Sequence, residues 1–227
     1  MARPTTARSL SSPRLRRSAP LRREAVIAAA AAVFRTKGYA AATMRDIAER
    51  LGVTSAALYY HVRRKADLLY AICDQALTTA EQLQAQALAE PLPPAEQLAR
   101  VVECHALAVL TESPVGMAVF FQEEGWLPPA TRRAIAARRR RYEGAFLATF
   151  ERAAAAGILA VPDVRLAAHG VLGLCNWAHR WYRPNRALPP AVVAACLARQ
   201  ALYGLLARPL APSEAGRAGA AAGPEGQ

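Results

Sequence analysis

Polar and basic side chains gather in one short stretch, Thr43 to Leu69 (TMRDIAERLGVTSAALYYHVRRKADLL), in a spacing that suits contact with a nucleic acid. Thr43 is of a type that caps a helix. Ile47, Ala48 and Leu51 fall on one face of that helix, and Gly52 can adopt the left-handed backbone that stops it. Val53 turns the chain inward, and Thr54 or Ser55 caps a second short helix running to about His61. Two such helices joined at a glycine form a helix-turn-helix, whose second helix reads base edges in the major groove. Ser55, Ala57 and Tyr59 lie at the exposed start and middle of that second helix, and Ala57 suits a thymine methyl. Tyr59 has an alternative reading, its ring packed into the domain core, whereas Leu58 reads as core; Arg63 and Arg64 read equally as solvated.

Other chemistries find less support. There is no nucleophile elbow, Gly-rich phosphate loop, metal-ligand spacing or plausible pair of carboxylates, so neither an enzyme nor a resident cofactor or metal is expected. Glu123 and Glu124 are adjacent and point to different sides of a helix, which makes them poor partners in acid-base chemistry. Cys73, Cys104, Cys175 and Cys196 are scattered without a C-x-x-C, which argues against a zinc site or a disulfide framework and fits a reducing cytoplasm.

The charge is uneven. Of the net +12, residues 1–72 hold 14 Lys+Arg and 4 Asp+Glu, net +10, and residues 73–227 hold 15 and 13, net +2. A basic domain beside a nearly neutral one suits phosphate binding by the first and a different task for the second. No apolar run reaches the roughly 18 residues of a membrane span; the longest near the start, Ala25 to Phe34, has ten. No membrane partner is expected, and the cytoplasm is the expected location. Residues 1–20, rich in Arg and Ser and free of acids, read as a disordered basic arm that either tracks DNA or stays passive, and residues 209–227, rich in Ala, Gly and Pro, read as a disordered tail.

Between these ends the pattern is all-α, with long helical segments separated by proline-marked breaks and no sustained period-2 alternation. Expected helices span Arg22 to Lys37, Thr43 to Leu51, Ser55 to His61, Ala66 to Ala89, Ala95 to Glu112, Pro114 to Glu124, Pro129 to Ala156, Asp163 to about Trp181, and Pro190 to Leu206. The first three make a helix-turn-helix DNA-binding domain over residues 21–66. The remaining six make a larger ligand-binding and dimerisation domain over residues 67–208. Leu166, Ala167, Gly170, Leu172 and Gly173, with Val192, Val193, Cys196, Leu197, Leu202 and Leu205, give the last two helices small and apolar faces that suit a four-helix bundle with a second copy, burial within one chain being the alternative.

Thr43 to Leu69 resembles the TetR/AcrR family of transcriptional regulators at nearly every motif position, and Arg22 to Lys37 (RREAVIAAAAAVFRTK), closed by Gly38, resembles that family's first helix. Ala56 stands where many members carry Gly. The resemblance implies a homodimer on double-stranded operator DNA. Thr43, Arg45, Tyr60, His61 and Lys65 would hold the phosphate backbone, beside Thr54, Ser55, Ala57 and Tyr59 on the recognition helix.

A second resemblance lies in Asn176 to Asn185 (NWAHRWYRPN), with the preceding VPDVRLAAHGVLGLC, which is similar to a TetR subgroup that responds to acyl-CoA thioesters. It implies a repressor released by a small-molecule effector of the acyl-CoA thioester class. Alternatives are a regulator of efflux or another pathway with a different hydrophobic ligand, or an effector-free DNA binder. Asn185 replaces the first Gly of the subgroup's signature and alters the turn. An acyl-CoA wants an apolar tunnel and cations for its phosphates. The ligand candidates are His105, Phe120, Phe121, Trp126, Tyr142, Phe146, Leu147, Trp177, Arg180 and Trp181, with Arg183 and the run Arg138 to Arg141 as phosphate partners. Each aromatic has ordinary core packing as its alternative, the arginine run a solvated helix face, and His105, His169 and His179 a satisfied place in the core.

Overall fold

The computed structural model describes residues 22–111, 114–183 and 188–203. Within them every element is helical: α1 (Arg23–Lys37), α2 (Met44–Leu51), α3 (Ser55–His61), α4 (Lys65–Ala89), α5 (Pro94–Thr111), α6 (Pro114–Glu123), a 3-10 turn at Glu124–Trp126, α7 (Pro129–Ala155), α8 (Val164–Trp181) and α9 (Pro190–Tyr203). The all-α reading holds. The arm at 1–20, the tail at 209–227, and the expected helix ends at Glu112 and 204–206 lie outside the described residues.

Local chemistry explains the helix ends around the turn. The Thr43 hydroxyl accepts from the Asp46 N–H at 3.2 Å while the Asp46 carboxylate accepts from the Thr43 N–H at 2.9 Å, a reciprocal capping box. Lys37 Nζ donates to the same carboxylate at 2.7 Å and, with the Thr43 amide, holds Asp46 down at about 2. Gly52 closes α2 at φ 67°, a left-handed backbone that favours glycine. Of the two candidate caps of α3 it is Thr54 that acts, accepting from the Ala57 N–H at 3.2 Å. Farther on, Asp163 caps α8 by accepting from the Leu166 N–H, and Pro129 opens α7 at a position where its missing N–H costs nothing.

A continuous hydrophobic core runs through the chain. Phe34, Ile47 and Leu58 bury the helix-turn-helix against Leu68, Leu69 and Ile72 of α4, and the core continues into Val101, Val102, Phe146 and Phe150. α5 lies at the centre of the larger part and packs on α4, α6, α7, α8 and α9; α1 packs on α2, α4 and α6. Arg138 ties α7 to α4 by donating to Asp74, to Thr78 at 2.9 Å and to Glu81 at 2.6 Å.

α8 has two faces. Ala168, Val171, Leu172, Cys175, Ala178 and His179 turn inward, while Leu166, Gly170, Gly173, Leu174, Trp177 and Trp181 form an exposed stripe at helical spacing. On α9, Ala194, Leu197 and Ala198 pack inward, whereas Val192, Cys196 and Tyr203 stay exposed. Leu172 and Leu197 therefore belong to the core of one chain and not to the expected interface face; Ala167, Val193 and Leu202 are partly buried against that core. Leu205 lies outside the described residues.

Candidate nucleic-acid interface and enclosed cavity

α3 is anchored by one residue. Leu58 is fully buried, and its neighbours Ala56, Ala57, Tyr59, Tyr60 and His61 are exposed, with Ser55 half-buried at the helix start. Tyr60 stands 89% exposed, edge-on to the His61 ring at 5.4 Å, and the Tyr59 ring is exposed too, not in the core. The exposed face thus presents two small methyls, two phenols and an imidazole, groups that can donate to or pack on base edges and phosphates. Thr43 and Arg45 stand exposed at the start of α2; Arg45 Nε donates to Glu49 at 2.8 Å, a pair open enough to solvent to exchange for a phosphate. Arg64 pairs with Asp67 at 2.9 Å.

Lys65 is placed differently from the phosphate contact that the resemblance implies. Its Nζ donates to the carbonyls of Tyr39 at 2.7 Å, Ala40 at 3.3 Å and Ala42 at 2.7 Å, and lies 4.4 Å from the centre of the Tyr39 ring. An ammonium has three protons. All three are committed to the loop between α1 and α2, so Lys65 locks the reading domain together.

Inside the larger part, α4, α5, α6, α7 and α8 line a partly open cavity of about 40 Å³, room for a few waters. His105, Phe120, Phe121 and Tyr142 line it, with Leu77, Val109, Met117, Leu172 and Asn176. His105 Nδ1 and the Tyr142 hydroxyl share a hydrogen bond at 2.6 Å, and Phe146 packs edge-on against the His105 ring at 5.4 Å. Burial lowers His105 to about 4, which keeps its imidazole neutral, and raises the Tyr142 phenol. Two polar atoms are left over: His105 Nε2 and Asn176 Oδ1 are buried without a well-formed hydrogen bond, and the Asn176 side chain and Leu172 backbone near the His105 ring offset part of the effect of its burial. Arg139 and Glu143 stand on the same wall, Arg139 holding Glu124.

The remaining ligand candidates lie elsewhere. Trp126 is largely exposed and stacks 6.0 Å from Tyr39; Leu147 packs on the core. Trp177 and Trp181, 61% and 49% exposed, sit on the outward stripe of α8, and Arg180 lies over the Trp177 ring at 5.2 Å. Of the arginine run, Arg138 and Arg139 are held in ion pairs and Arg140 and Arg141 are exposed. Glu123 and Glu124 do point apart. Glu123 Oε1 accepts from the Tyr39 N–H at 3.2 Å, reaching the loop after α1, while Glu124 reaches α7.

Sequence reasoning missed Asn176 as a cavity residue and Glu123 as a link to the loop after α1; it named Arg139 only within the run offered to phosphates. Asn176 was inside a segment already singled out, and the signal that finds it is the spacing of four from Leu172, which puts both on the inward side of α8. Among the described residues no cluster of His, Cys, Asp and Glu suits a metal, and no single helix is long and apolar enough to cross a membrane.

Comparison with known proteins decides the family. Residues 26–72 match the bacterial regulatory proteins of the tetR family, and residues 91–205 match the tetracyclin repressor-like C-terminal domain. The chain belongs to the TetR family. It is a DNA-binding transcriptional regulator, with the reading helices and the larger helical domain that this TetR-type architecture combines. The solved TetR-family regulator PfmR from Thermus thermophilus is 33% identical, with a TM-score of 0.71, over 80% of this chain and 98% of its own. AibR, solved in complex with isovaleryl coenzyme A and operator DNA, shares the fold at 24% identity and a TM-score of 0.67, over 79% of this chain and 97% of its own. The regulator TtgR of Pseudomonas putida is 41% identical over 61 residues, 27% of this TetR-family chain. The match spans 29% of the length of that curated relative.

Proposed function

We propose that this TetR-family regulator is a homodimeric repressor that leaves its operator when an acyl-CoA thioester enters the cavity between α4 and α8. The observation that carries the reading is the pair His105 Nε2 and Asn176 Oδ1, buried without a well-formed hydrogen bond in a cavity lined mostly by apolar side chains, with Arg139 and Glu143 on one wall. A buried polar group without a partner costs ~1 to 3 kcal/mol, so a ligand that completes those bonds and fills the space gains on both counts. When the Tyr142 phenol donates to Nδ1, the ring proton of His105 sits on Nε2 and can be donated to a thioester carbonyl. A neutral imidazole favours that neutral oxygen over a free carboxylate.

Release follows from how the cavity joins the reader. α6 lends Met117, Phe120 and Phe121 to the cavity, and its last residue, Glu123, holds the Tyr39 backbone beside the Lys65 lock. A ligand that enlarges the cavity displaces α6 and with it α1, which changes the separation of two recognition helices in a dimer. The dimer forms through the outward stripe of α8 with the exposed side of α9, a face too apolar to leave in water. AibR, with the same fold, was solved with isovaleryl coenzyme A and operator DNA together, which supports the ligand class and not the release step.

Fluorescence anisotropy of the protein on DNA from its own upstream region, titrated with acyl-CoA thioesters and the matching free acids, tests this. Release by thioesters alone supports it. Tight DNA binding that no thioester disturbs removes the acyl-CoA effector and leaves a regulator of another ligand.

A further inference from the structure

A second cleft, of about 320 Å³, opens between α1, α6 and the C-terminal end of α8, lined by Arg35, Ala118, Gln122, His179, Arg180 and Arg183. Among the described residues, three guanidinium groups and no carboxylate line it. Across the described residues the other arginines that join one helix to another, Arg138 and Arg139, are ion-paired. Arg35, Arg180 and Arg183 appear in none of those pairs: Arg183 donates to the backbone carbonyls of Arg180 and Tyr182, and Arg180 rests on the Trp177 ring. Like charges brought together from two parts of the fold repel, and a partly enclosed cleft screens them less than open water does. An anion removes that cost.

The cleft and the apolar cavity share their walls. α6 turns Met117, Phe120 and Phe121 toward the cavity and Ala118 and Gln122 toward the cleft; α8 contributes Leu172 and Asn176 to the first, His179 and Arg180 to the second. The Phe121 and His179 rings, 5.3 Å apart, stand between them. His179 Nδ1 bonds the Asn176 carbonyl at 2.5 Å, which fixes the ring with Nε2 as its remaining polar atom.

From this we infer that the cleft is an anion site for a phosphate or diphosphate group, held by Arg35 from the reading domain and by Arg180 and Arg183 from the sensing domain. Fork-shaped guanidinium groups match phosphate oxygens in pairs. An anion there ties α1 to α8 directly, so its occupancy bears on operator affinity. That the phosphate belongs to the effector rests on the acyl-CoA reading above; the site itself does not.

The test is calorimetric titration of the full-length protein with inorganic pyrophosphate and, separately, with unacylated coenzyme A, at constant ionic strength. Arg35→Gln, Arg180→Gln and Arg183→Gln are compared with Arg140→Gln, an exposed arginine on α7 away from the cleft, and circular dichroism checks that each variant is folded. The expected result is binding of one or both probes that weakens about tenfold in each cleft variant and stays unchanged in Arg140→Gln. Binding of pyrophosphate and coenzyme A alike assigns the site to any phosphate; binding of coenzyme A alone assigns it to the effector. Equal affinities in all four variants, or no binding of either probe, overturn the anion site. The two readings fail separately: if thioesters release DNA while neither probe binds through the arginines, the effector reading stands and the anion site falls. If pyrophosphate binds through the arginines while no thioester acts, the anion site stands alone.

Discussion

The helix-turn-helix and the larger helical domain bring their candidate site residues together in opposite ways. In the reader, Ser55, Ala57, Tyr59, Tyr60 and His61 follow one another on a single short helix, and one buried leucine, Leu58, is enough to turn the rest outward. In the sensor, the cavity draws on five helices, and its key polar atoms, His105 on α5, Tyr142 on α7 and Asn176 on α8, are far apart in sequence. A surface that needs exposure can be encoded locally. An enclosure cannot, because every wall comes from a different element. Evolution can therefore retune the reader residue by residue, whereas a change in the sensor passes through packing.

The largest effect that would separate the regions is at the outward stripe of α8. Trp177→Glu with Trp181→Glu should weaken self-association by on the order of 3 to 4 kcal/mol, a few hundredfold in dimer dissociation, as loss of central aromatic anchors does. Analytical ultracentrifugation reads it, and a folded monomer with an intact helix-turn-helix is the expected product. An unchanged dimer would place the interface elsewhere.

Next comes the buried imidazole. Because burial lowers His105 in the folded state to about 4, the unfolded chain takes up a proton first as pH falls. The stability that the neutral ring confers is present above about 6.5 and is lost progressively toward 4, to a limit of roughly 3 kcal/mol. Thermal unfolding of wild type and His105→Gln over that window should show a shallower decline in the variant. Parallel curves would mean that His105 is not shielded as described.

Lys65→Met sharpens the division within the reader. Removing three donors to the loop should cost about 2 kcal/mol of stability and lower DNA affinity, without changing the slope of affinity against salt. A slope reduced by about one would return Lys65 to the phosphate backbone. Ser55→Ala should have the smallest effect, ~1 kcal/mol less discrimination between operator and random DNA with little loss on random DNA. Equal losses on both would deny it a base contact.

Much of the fold was legible because its punctuation is local. Pro94, Pro114, Pro129 and Pro190 open helices, Thr43, Thr54 and Asp163 cap them, and Gly38, Gly52 and Gly157 follow their ends at positive φ. The site was legible unevenly. His105, Phe120, Phe121 and Tyr142 were readable as pocket candidates, and the structure places them around one cavity. Trp177 and Trp181 carried the most conspicuous side chains, yet the rotation of α8 faces them outward and turns Asn176 beside them toward the cavity. A helix at 3.6 residues per turn separates neighbours in sequence by about 100°, so a motif read as one unit divides between two faces.

By itself the sequence determined the all-α class, the helix boundaries, the helix-turn-helix and the concentration of positive charge around it. Each of these depends on interactions within a turn or two of chain. Only the tertiary structure decided that Lys65 turns its ammonium onto the loop carbonyls, that Glu123 reaches across to Tyr39, that His105 Nε2 and Asn176 Oδ1 are buried without a well-formed hydrogen bond, and that Arg35 lines one cleft with Arg180 and Arg183. Those facts depend on the angles at which helices distant in sequence cross, and the packing of the whole core sets those angles.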